Sequence, residues 1–140
     1  MKRMRKITMA LFALGIGSIF AESHSAIRNA VEAFALAADQ RNVQSLEKVM
    51  HGSFRTVFKT RGKGGYNTID KDSYINLVKD RKIGGVKRRL KIISVVEYDN
   101  MAMVRAHLSN ARVRFESGYT LVKDEGAWKI MQDATVFAVK

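Results

Sequence analysis

Apolar residues recur every three or four positions along the first part of the chain, which is the period of an amphipathic α-helix. Residues 25–42 carry one such stripe and predict a first helix. Residues 43–50 carry another and predict a short second helix that Asn42 caps. The stripe residues are Ile27, Ala30, Val31, Phe34 and Ala38 in the first helix, and Val43, Leu46 and Met50 in the second.

The pattern then changes to the alternation of a strand. Residues 53–60 alternate in this way and predict a half-buried strand. The glycine-rich residues 61–68 lack the GxxxxGK[ST] spacing of a phosphate-binding loop, so they predict a hairpin-like connection. Asp70 is expected to cap a third helix. The apolar stripe of this helix is Tyr74, Leu77 and Val78, and Gly84-Gly85 are expected to end it.

From residue 88 onward the period is two, which predicts four long antiparallel strands over 88–98, 101–109, 112–122 and 127–139. Asp99-Asn100 predicts a two-residue turn, and residues 124–126 predict a three-residue loop with glycine in the left-handed conformation. Glycine makes the last hairpin turn, while Trp128 and Ile130 are expected to fill the core.

A pairing of Tyr98 with Met101 would place Val95 opposite Val104 and Ile93 opposite Ala106 on one side of the sheet. The other side would carry Val96, Met103, Ile92 and His107. Both faces are therefore partly apolar. Three helices can cover only one face, so we expect a homodimer through the other.

The composition limits the possible chemistry. The 140 residues have room for one domain with a core. Because the chain has no cysteine, disulfides, thiol nucleophiles and zinc-thiolate sites are excluded. The three histidines have no metal-ligand spacing, so no metal is expected, and nothing in the sequence calls for a cofactor.

The first 23 residues have the order of a secretory signal peptide, with a basic start, an apolar run too short to span a bilayer, and small residues around Ala21 and Ser23. We therefore expect residues 1–23 to be a leader, cleaved after Ala21 or Ser23, and residues 24–140 to be the domain. The expected location is periplasmic or extracellular.

The chain is strongly basic, with a net charge of +12, and loss of residues 1–23 leaves about +9, because it removes four basic groups and Glu22. Export argues against nucleic acid as the partner and favours an anionic envelope surface. The alternative is a solvated, solubilising rim. The basic clusters are Arg55, Lys59, Arg61 and Lys63, then Lys79, Arg81, Lys82, Lys87, Arg88, Arg89 and Lys91.

Four segments carry a resemblance to a known superfamily: "VEAFALAADQRNVQSLEKVM", "HGSFRTVF", "DKDSYINLV" and "YTLVKDEGAWKIMQD". They resemble the nuclear transport factor 2-like (NTF2-like, cystatin-like α+β) superfamily over about residues 25–138. Within it, the sequence is most similar to the lumazine-binding and polyketide-cyclase-like (SnoaL-like) proteins. The resemblance implies an α+β fold in which three N-terminal helices pack on a curved, mostly antiparallel sheet, with a pocket between them.

The same resemblance provides a test for catalysis. Its ketosteroid-isomerase branch uses a tyrosine on the first helix and a carboxylate after the second helix. The matching position here looks like Phe34, which has no hydroxyl, and no Asp or Glu lies between Glu47 and Asp70. Asp133 lies on the last strand, where cyclase-like members place an acid/base residue, and a pair of His107 with Asp133 could be assembled across the sheet. The interpretation we favour is an exposed strand carboxylate and a surface or interface histidine, with the pair as the alternative. The ligand-pocket candidates are Phe34, Phe54, Tyr74, His107, Tyr119 and Asp133.

Three functions follow as hypotheses. The leading one is an exported domain that binds a small apolar or aromatic molecule, or serves as a dimeric scaffold, without strong catalysis. The second is a cyclase, isomerase or dehydratase that uses Asp133 and His107. The third is an envelope module that docks to anionic surfaces through its basic rim. The lining of the pocket discriminates between the first two.

Overall fold

A computed structural model describes the backbone of residues 11–140 and the side chains from residue 24 onward. The predicted leader, residues 1–23, lies outside the residues whose side chains are described, and it stays a prediction. The three predicted helices are present as α1 (Leu11–Gln40), α2 (Val43–Val49) and α3 (Lys71–Lys79). Over the described part of the chain, none of them is both long and apolar enough to cross a membrane.

Side-chain caps start the second and third helices, as the sequence predicts. The Asn42 side chain accepts a hydrogen bond from the Ser45 amide at 3.1 Å, and Asp70 accepts one from the Ser73 amide at 2.9 Å. Each bond satisfies a backbone donor that has no partner within the helix.

Six strands form one mixed sheet, and their order across it is β2-β1-β6-β5-β4-β3. The strands are β1 (Met50–Thr60), β2 (Asn67–Asp70), β3 (Arg89–Tyr98), β4 (Met101–Ser109), β5 (Val113–Asp124) and β6 (Ala127–Val139). All neighbours are antiparallel except β1 and β6, which run parallel. The predicted α+β class is confirmed.

The core lies between the helices and one face of the sheet. Ile27, Val31 and Phe34 of α1 are buried there, as predicted from the helical period. The same core contains alternate residues of β4, because successive strand residues point to opposite faces. Trp128 and Ile130 of the last strand are also buried, as predicted. The β4 residues on this covered face are Ala102, Val104, Ala106 and Leu108.

Several element boundaries differ from the predicted ones. Met50 is the first residue of β1 rather than the last of the second helix, and the short strand β2 was not predicted. The third helix ends at Lys79, five residues before Gly84. Gly84 and Gly85 instead have positive φ angles of 74° and 81°, and a side chain on Gly84 would clash with the Ala38 carbonyl oxygen. These glycines therefore let the α3–β3 loop approach the end of α1.

The predicted register of β3 and β4 holds only near their turn. Tyr98 pairs with Met101 and Val95 with Val104, as expected, but the register shifts between Ile92 and Ser94. Ile92 rather than Ile93 therefore pairs with Ala106, and Ile93 is exposed. The predicted pairing of Ile93 with Ala106 and the predicted placement of Ile92 on the side of His107 are wrong, because a β-bulge inserts one extra residue there.

Candidate functional site

A cavity of about 680 Å³ lies between the helices and the covered face of the sheet. Its walls come from α1, α3, the α3–β3 loop and strands β1, β5 and β6. Most of the lining is aromatic or aliphatic, including Phe34, Phe58, Phe115 and Phe137. Cavities of this size and lining hold small organic molecules in other proteins.

The deepest part of the cavity is polar and is built around Asp133. Tyr119 pairs directly opposite Asp133 across β5 and β6, and Thr56 pairs with Asp133 from β1. Residues that pair in this way project from the same face of a sheet. The Thr135 hydroxyl donates to an Asp133 oxygen at 2.8 Å, and the Thr135 and Ser117 hydroxyls lie 2.5 Å apart. Thr135 thus bonds the carboxyl group directly, and Tyr119, Thr56 and Ser117 surround it from the same face of the sheet.

Burial controls the protonation of this cluster. It raises the pKa of Asp133 from 3.8 to about 6, although the Thr135 hydrogen bond and the positive charge of Arg88 lower it. Burial and then the charge of Asp133 raise the pKa of Tyr74 and of Tyr119 far above the usual 10. Both phenols therefore stay protonated at neutral pH and can act as hydrogen-bond donors.

Aromatic packing holds the two tyrosines in place. The Phe34 ring centroid lies 5.9 Å from that of Tyr74 and 6.0 Å from that of Tyr119. Phe54 contacts Phe34 and Tyr74 at 5.7 and 5.5 Å from behind. Rings at these separations interact favourably beyond the area that they bury. The tyrosine side chains are thus fixed before any ligand enters.

An ion pair closes the wall between α1 and the start of β3. Arg88 donates to Asp39 from its Nε at 2.6 Å and from its backbone amide at 3.0 Å. The Arg88 guanidinium also lies 5.0 Å from the centroid of the Phe115 ring. Two hydrogen bonds and an aromatic contact give this arginine a structural role in the wall.

The predicted site residues take three different positions. Phe34, Tyr74, Tyr119 and Asp133 line the cavity together. Phe54 is buried behind them. His107 pairs with Lys91 and Glu116 and alternates with the buried residues Ala106 and Leu108, so it projects from the opposite face of the sheet. The alternative pair of His107 with Asp133 is therefore not formed. His107 lies away from the cavity, as the favoured interpretation expects, whereas Asp133 lies within the cavity rather than on the exposed surface.

Sequence reasoning did not find Thr135, Ser117, Phe115, Phe137 or the Asp39–Arg88 pair. The first four have a readable signal, because residues 115, 117 and 119 alternate on one strand and residues 133, 135 and 137 on the next. The ion pair has none, because its members are 49 positions apart. Among the described residues, no group of His, Asp and Glu is arranged to hold a metal ion.

Comparison with known proteins agrees with this fold. The model of the family described as "Putative lumazine-binding" matches residues 22–134. The chain belongs to this family. The expected membership of the NTF2-like superfamily is also confirmed, whereas no match was found among the curated proteins.

Solved members of the superfamily share the architecture at low sequence identity. An NTF2-like protein of unknown function from Silicibacter pomeroyi is 23% identical, with a TM-score of 0.69 over 86% of this chain and 98% of that one. A ketosteroid isomerase-like protein from Erwinia carotovora is 16% identical, with a TM-score of 0.65 over 81% and 94%. A cystatin-like protein from Nostoc punctiforme is 9% identical, with a TM-score of 0.62 over 84% and 90%. These similarities establish the fold alone.

Proposed function

We propose that this protein binds a small, mainly apolar and ring-containing molecule in the cavity, without strong catalysis. The observation that supports this most directly is the cavity of about 680 Å³, which has apolar walls and a polar group only at a few fixed positions. An apolar wall provides affinity through burial, and fixed polar groups select orientation. A scaffold without a ligand would have no need for an open cavity of this size.

The polar floor indicates what the buried end of the ligand carries. Tyr74 and Tyr119 offer hydroxyl donors, whereas Asp133, once ionised, offers only acceptors. A ring edge with both a carbonyl and an N–H group would satisfy this combination. The family description names lumazine, a bicyclic heteroaromatic molecule with such an edge, and lumazine is therefore the first ligand to test.

Fluorescence titration provides the test. Lumazine and the neutral dye N-phenyl-1-naphthylamine would be titrated into the wild type, Asp133→Asn and Tyr119→Phe. Glu116→Gln and Tyr98→Phe serve as matched controls on the outer face or at its edge. We expect saturable binding of at least one probe, and a loss of about tenfold in lumazine affinity in the two floor variants. Absence of saturable binding of both probes would contradict the proposal.

A second candidate function is proton transfer, and the position of Asp133 favours it. A carboxyl with a pKa of about 6 beside two protonated phenols has the elements of a general base and an oxyanion donor. Tyr74 and Tyr119 supply the hydroxyl that Phe34 lacks. Turnover of a β,γ-unsaturated ketone that disappears in Asp133→Asn would replace the binding function with this one. Equal inactivity of both proteins is the result we expect.

We also propose that the domain works as an exported homodimer. The outer face of the sheet exposes Val96, Tyr98, Met101 and Met103, which supports a partner there. The order of residues 1–23 supports export. N-terminal sequencing of the protein from its native host should begin at Glu22 or His24, and an intact Met1 on a cytosolic pool would contradict export. Contact with an anionic envelope surface, which the net charge supports, should then weaken with salt.

A further inference from the structure

The cavity is a funnel, and one of its walls consists of successive pairs of residues on β5 and β6. From the floor upward the pairs are Tyr119 with Asp133, Ser117 with Thr135, Phe115 with Phe137, and Val113 with Val139. Six residues separate the first pair from the last, so the funnel is about 20 Å long at the usual rise per strand residue. A ligand that fills it is elongated rather than round.

The open end of the funnel is basic. Asn110, Ala111 and Arg112 of the β4–β5 turn line it. Lys140 is held beside them, since its ammonium donates to the Asn110 carbonyl at 2.8 Å and its backbone amide donates to Arg112 at 2.9 Å. Arg112 thus lines the mouth, and the Lys140 ammonium lies next to it at the Asn110 carbonyl.

The carboxylates that line the cavity or lie near it do not neutralise the mouth, because each is paired with an arginine or lies at the floor. Of the described residues that line the cavity, the carboxylates are Asp39 and Asp133. Asp39 is paired with Arg88, and Asp133 lies at the floor. Glu116 is on the outer face, where it pairs with Arg61 at 2.9 Å. The funnel therefore has an acidic floor, an apolar middle and a basic mouth.

We propose that the ligand is an elongated amphipathic anion, whose carboxylate or phosphate contacts Arg112 and Lys140 at the mouth while its apolar body lies against the adjacent rings of Phe115 and Phe137. This rests on the proposed ligand-binding function and adds the charge, the length and the orientation of the ligand. The opposite orientation is less favourable because it would place the anion against the ionised form of Asp133 and leave the two cations facing an apolar group.

A displacement series separates this inference from the proposed function. N-phenyl-1-naphthylamine, bound in the cavity, would be displaced by decanoate, decyl phosphate and decanol, which share one chain length and differ in charge. We expect one or both anions to displace the dye at concentrations about tenfold lower than decanol does. The two anions distinguish a carboxylate ligand from a phosphate ligand.

Variants at the mouth test whether Arg112 and Lys140 cause the preference for anions over decanol. In the double variant Arg112→Gln with Lys140→Gln, decanol and the anions should displace the dye about equally. The matched double variant Arg105→Gln with Lys123→Gln removes the same charge from outside the cavity and should keep the wild-type preference. Arg112→Lys retains the positive charge and should keep most of the preference for anions over decanol. Affinity for the neutral dye should be unchanged in all three, which verifies that they are folded.

Each other outcome has a definite meaning. Dye binding with equal displacement by decanol and the anions would overturn this inference and leave the proposed function intact. A preference for anions that survives in the mouth variant would overturn it as well, because the charge would then act from elsewhere. No binding of the dye, and no heat of binding for any decyl compound, would overturn both.

Discussion

Asp133 is the residue whose environment differs most from that of an ordinary carboxyl. It lies on the third strand from the β2 edge of the sheet, faces two aromatic hydroxyls and accepts a hydrogen bond from Thr135. Desolvation disfavours its charged form more than the hydrogen bond favours it, so the pKa rises to about 6. A proton is therefore bound more tightly in the folded state than in the unfolded state, where the pKa is ordinary.

This difference predicts how stability depends on pH. Because the folded pKa is above the unfolded value of 3.8, the contribution of Asp133 is fully present below pH 4 and is lost as pH rises through 6. Asp133→Asn cannot ionise and should avoid that loss. Its free energy of unfolding relative to wild type should grow between pH 4 and 8, by up to about 3 kcal/mol. Urea unfolding of both proteins across this range measures the difference.

Asp70→Asn is the control for this experiment. Hydrogen bonds from Ser73 lower the pKa of Asp70, so its contribution has the opposite sign and is lost as pH falls. Asparagine also caps helices, and this variant should gain nothing at pH 8. Parallel pH profiles for wild type and Asp133→Asn would show that the carboxyl is not desolvated.

For individual residues, the sequence predicted which side chains line the cavity better than it predicted which of them lie close together. Strand alternation placed Tyr119 and Asp133 correctly within their own strands. The alternative pair of His107 with Asp133 could not be judged from the sequence, because alternation within β4 does not reveal which face of β4 lies on the same side as Asp133. That relation depends on two successive registers, Val104 with Tyr119 and Tyr119 with Asp133. A shift of one residue in either would move His107 to the cavity face.

The turn between β5 and β6 contains one residue, Glu125, that is unfavourable for its backbone conformation. Asp124 pairs with Ala127, so the turn has two residues rather than the three predicted. Glu125 and Gly126 have φ angles of 49° and 80°. Two positive φ values define the hairpin turn in which Asn-Gly is preferred. Glycine accepts this conformation freely, whereas glutamate is strained in it.

Relief of that strain should stabilise the protein. Glu125→Asn is expected to raise the free energy of unfolding by about 0.5–1 kcal/mol, because asparagine tolerates the left-handed conformation better. Gly126→Ala should lower it by about 1 kcal/mol or more, since a Cβ is disfavoured at that φ. Thermal unfolding of the two variants beside wild type measures both effects. A loss of stability in Glu125→Asn would contradict the prediction.

Long elements were predictable and short or irregular ones were not. The four strands after residue 88 alternate over nine to thirteen positions, which is enough for a clear period. Strand β2 has four residues with Ile69 as its single apolar member, so it carries too little pattern. The bulge at Ile93 could not be predicted from the sequence for a different reason. Four of the five residues from Ile92 to Val96 are apolar, in two adjacent pairs on either side of Ser94, so the segment is compatible with either register.

Among the described residues, the helices cover one face of the sheet and leave the other face open. Val96 and Met103 pair directly on the open face, with 56% and 52% of their surfaces exposed. Apolar side chains in contact at such exposure gain stability when a second surface covers them. This is the physical basis for the proposed homodimer.

Light scattering should therefore give about twice the mass of one chain. Val96→Lys with Met103→Lys should shift the protein to monomer, because burial of two ammonium groups in an interface is unfavourable. Leu36→Lys, at a residue with 56% exposure on α1, adds charge outside the sheet and should leave the mass unchanged. A wild-type monomer at high micromolar concentration would exclude this assembly.

The parallel contact of β1 with β6 was beyond local sequence reasoning. Periodicity predicted both strands, but nothing in either one identifies the other as its neighbour. Thr56 and Asp133, 77 positions apart, meet in this pairing. Only the resemblance to a superfamily indicated a curved sheet with a pocket, so the overall architecture came from likeness rather than from residue patterns.

The position of β6 also determines when the protein can fold. Strand β6 lies between β1 and β5, so the sheet is incomplete until β6 has been synthesised. Contacts between such distant segments make folding slow and delay it until β6 is present. A chain that ends at Gly126 should accordingly be digested rapidly by protease, whereas the full chain should resist. Until β6 is present, a nascent chain has an incomplete sheet, and an incompletely folded chain is what passage through a membrane channel would require in the proposed export.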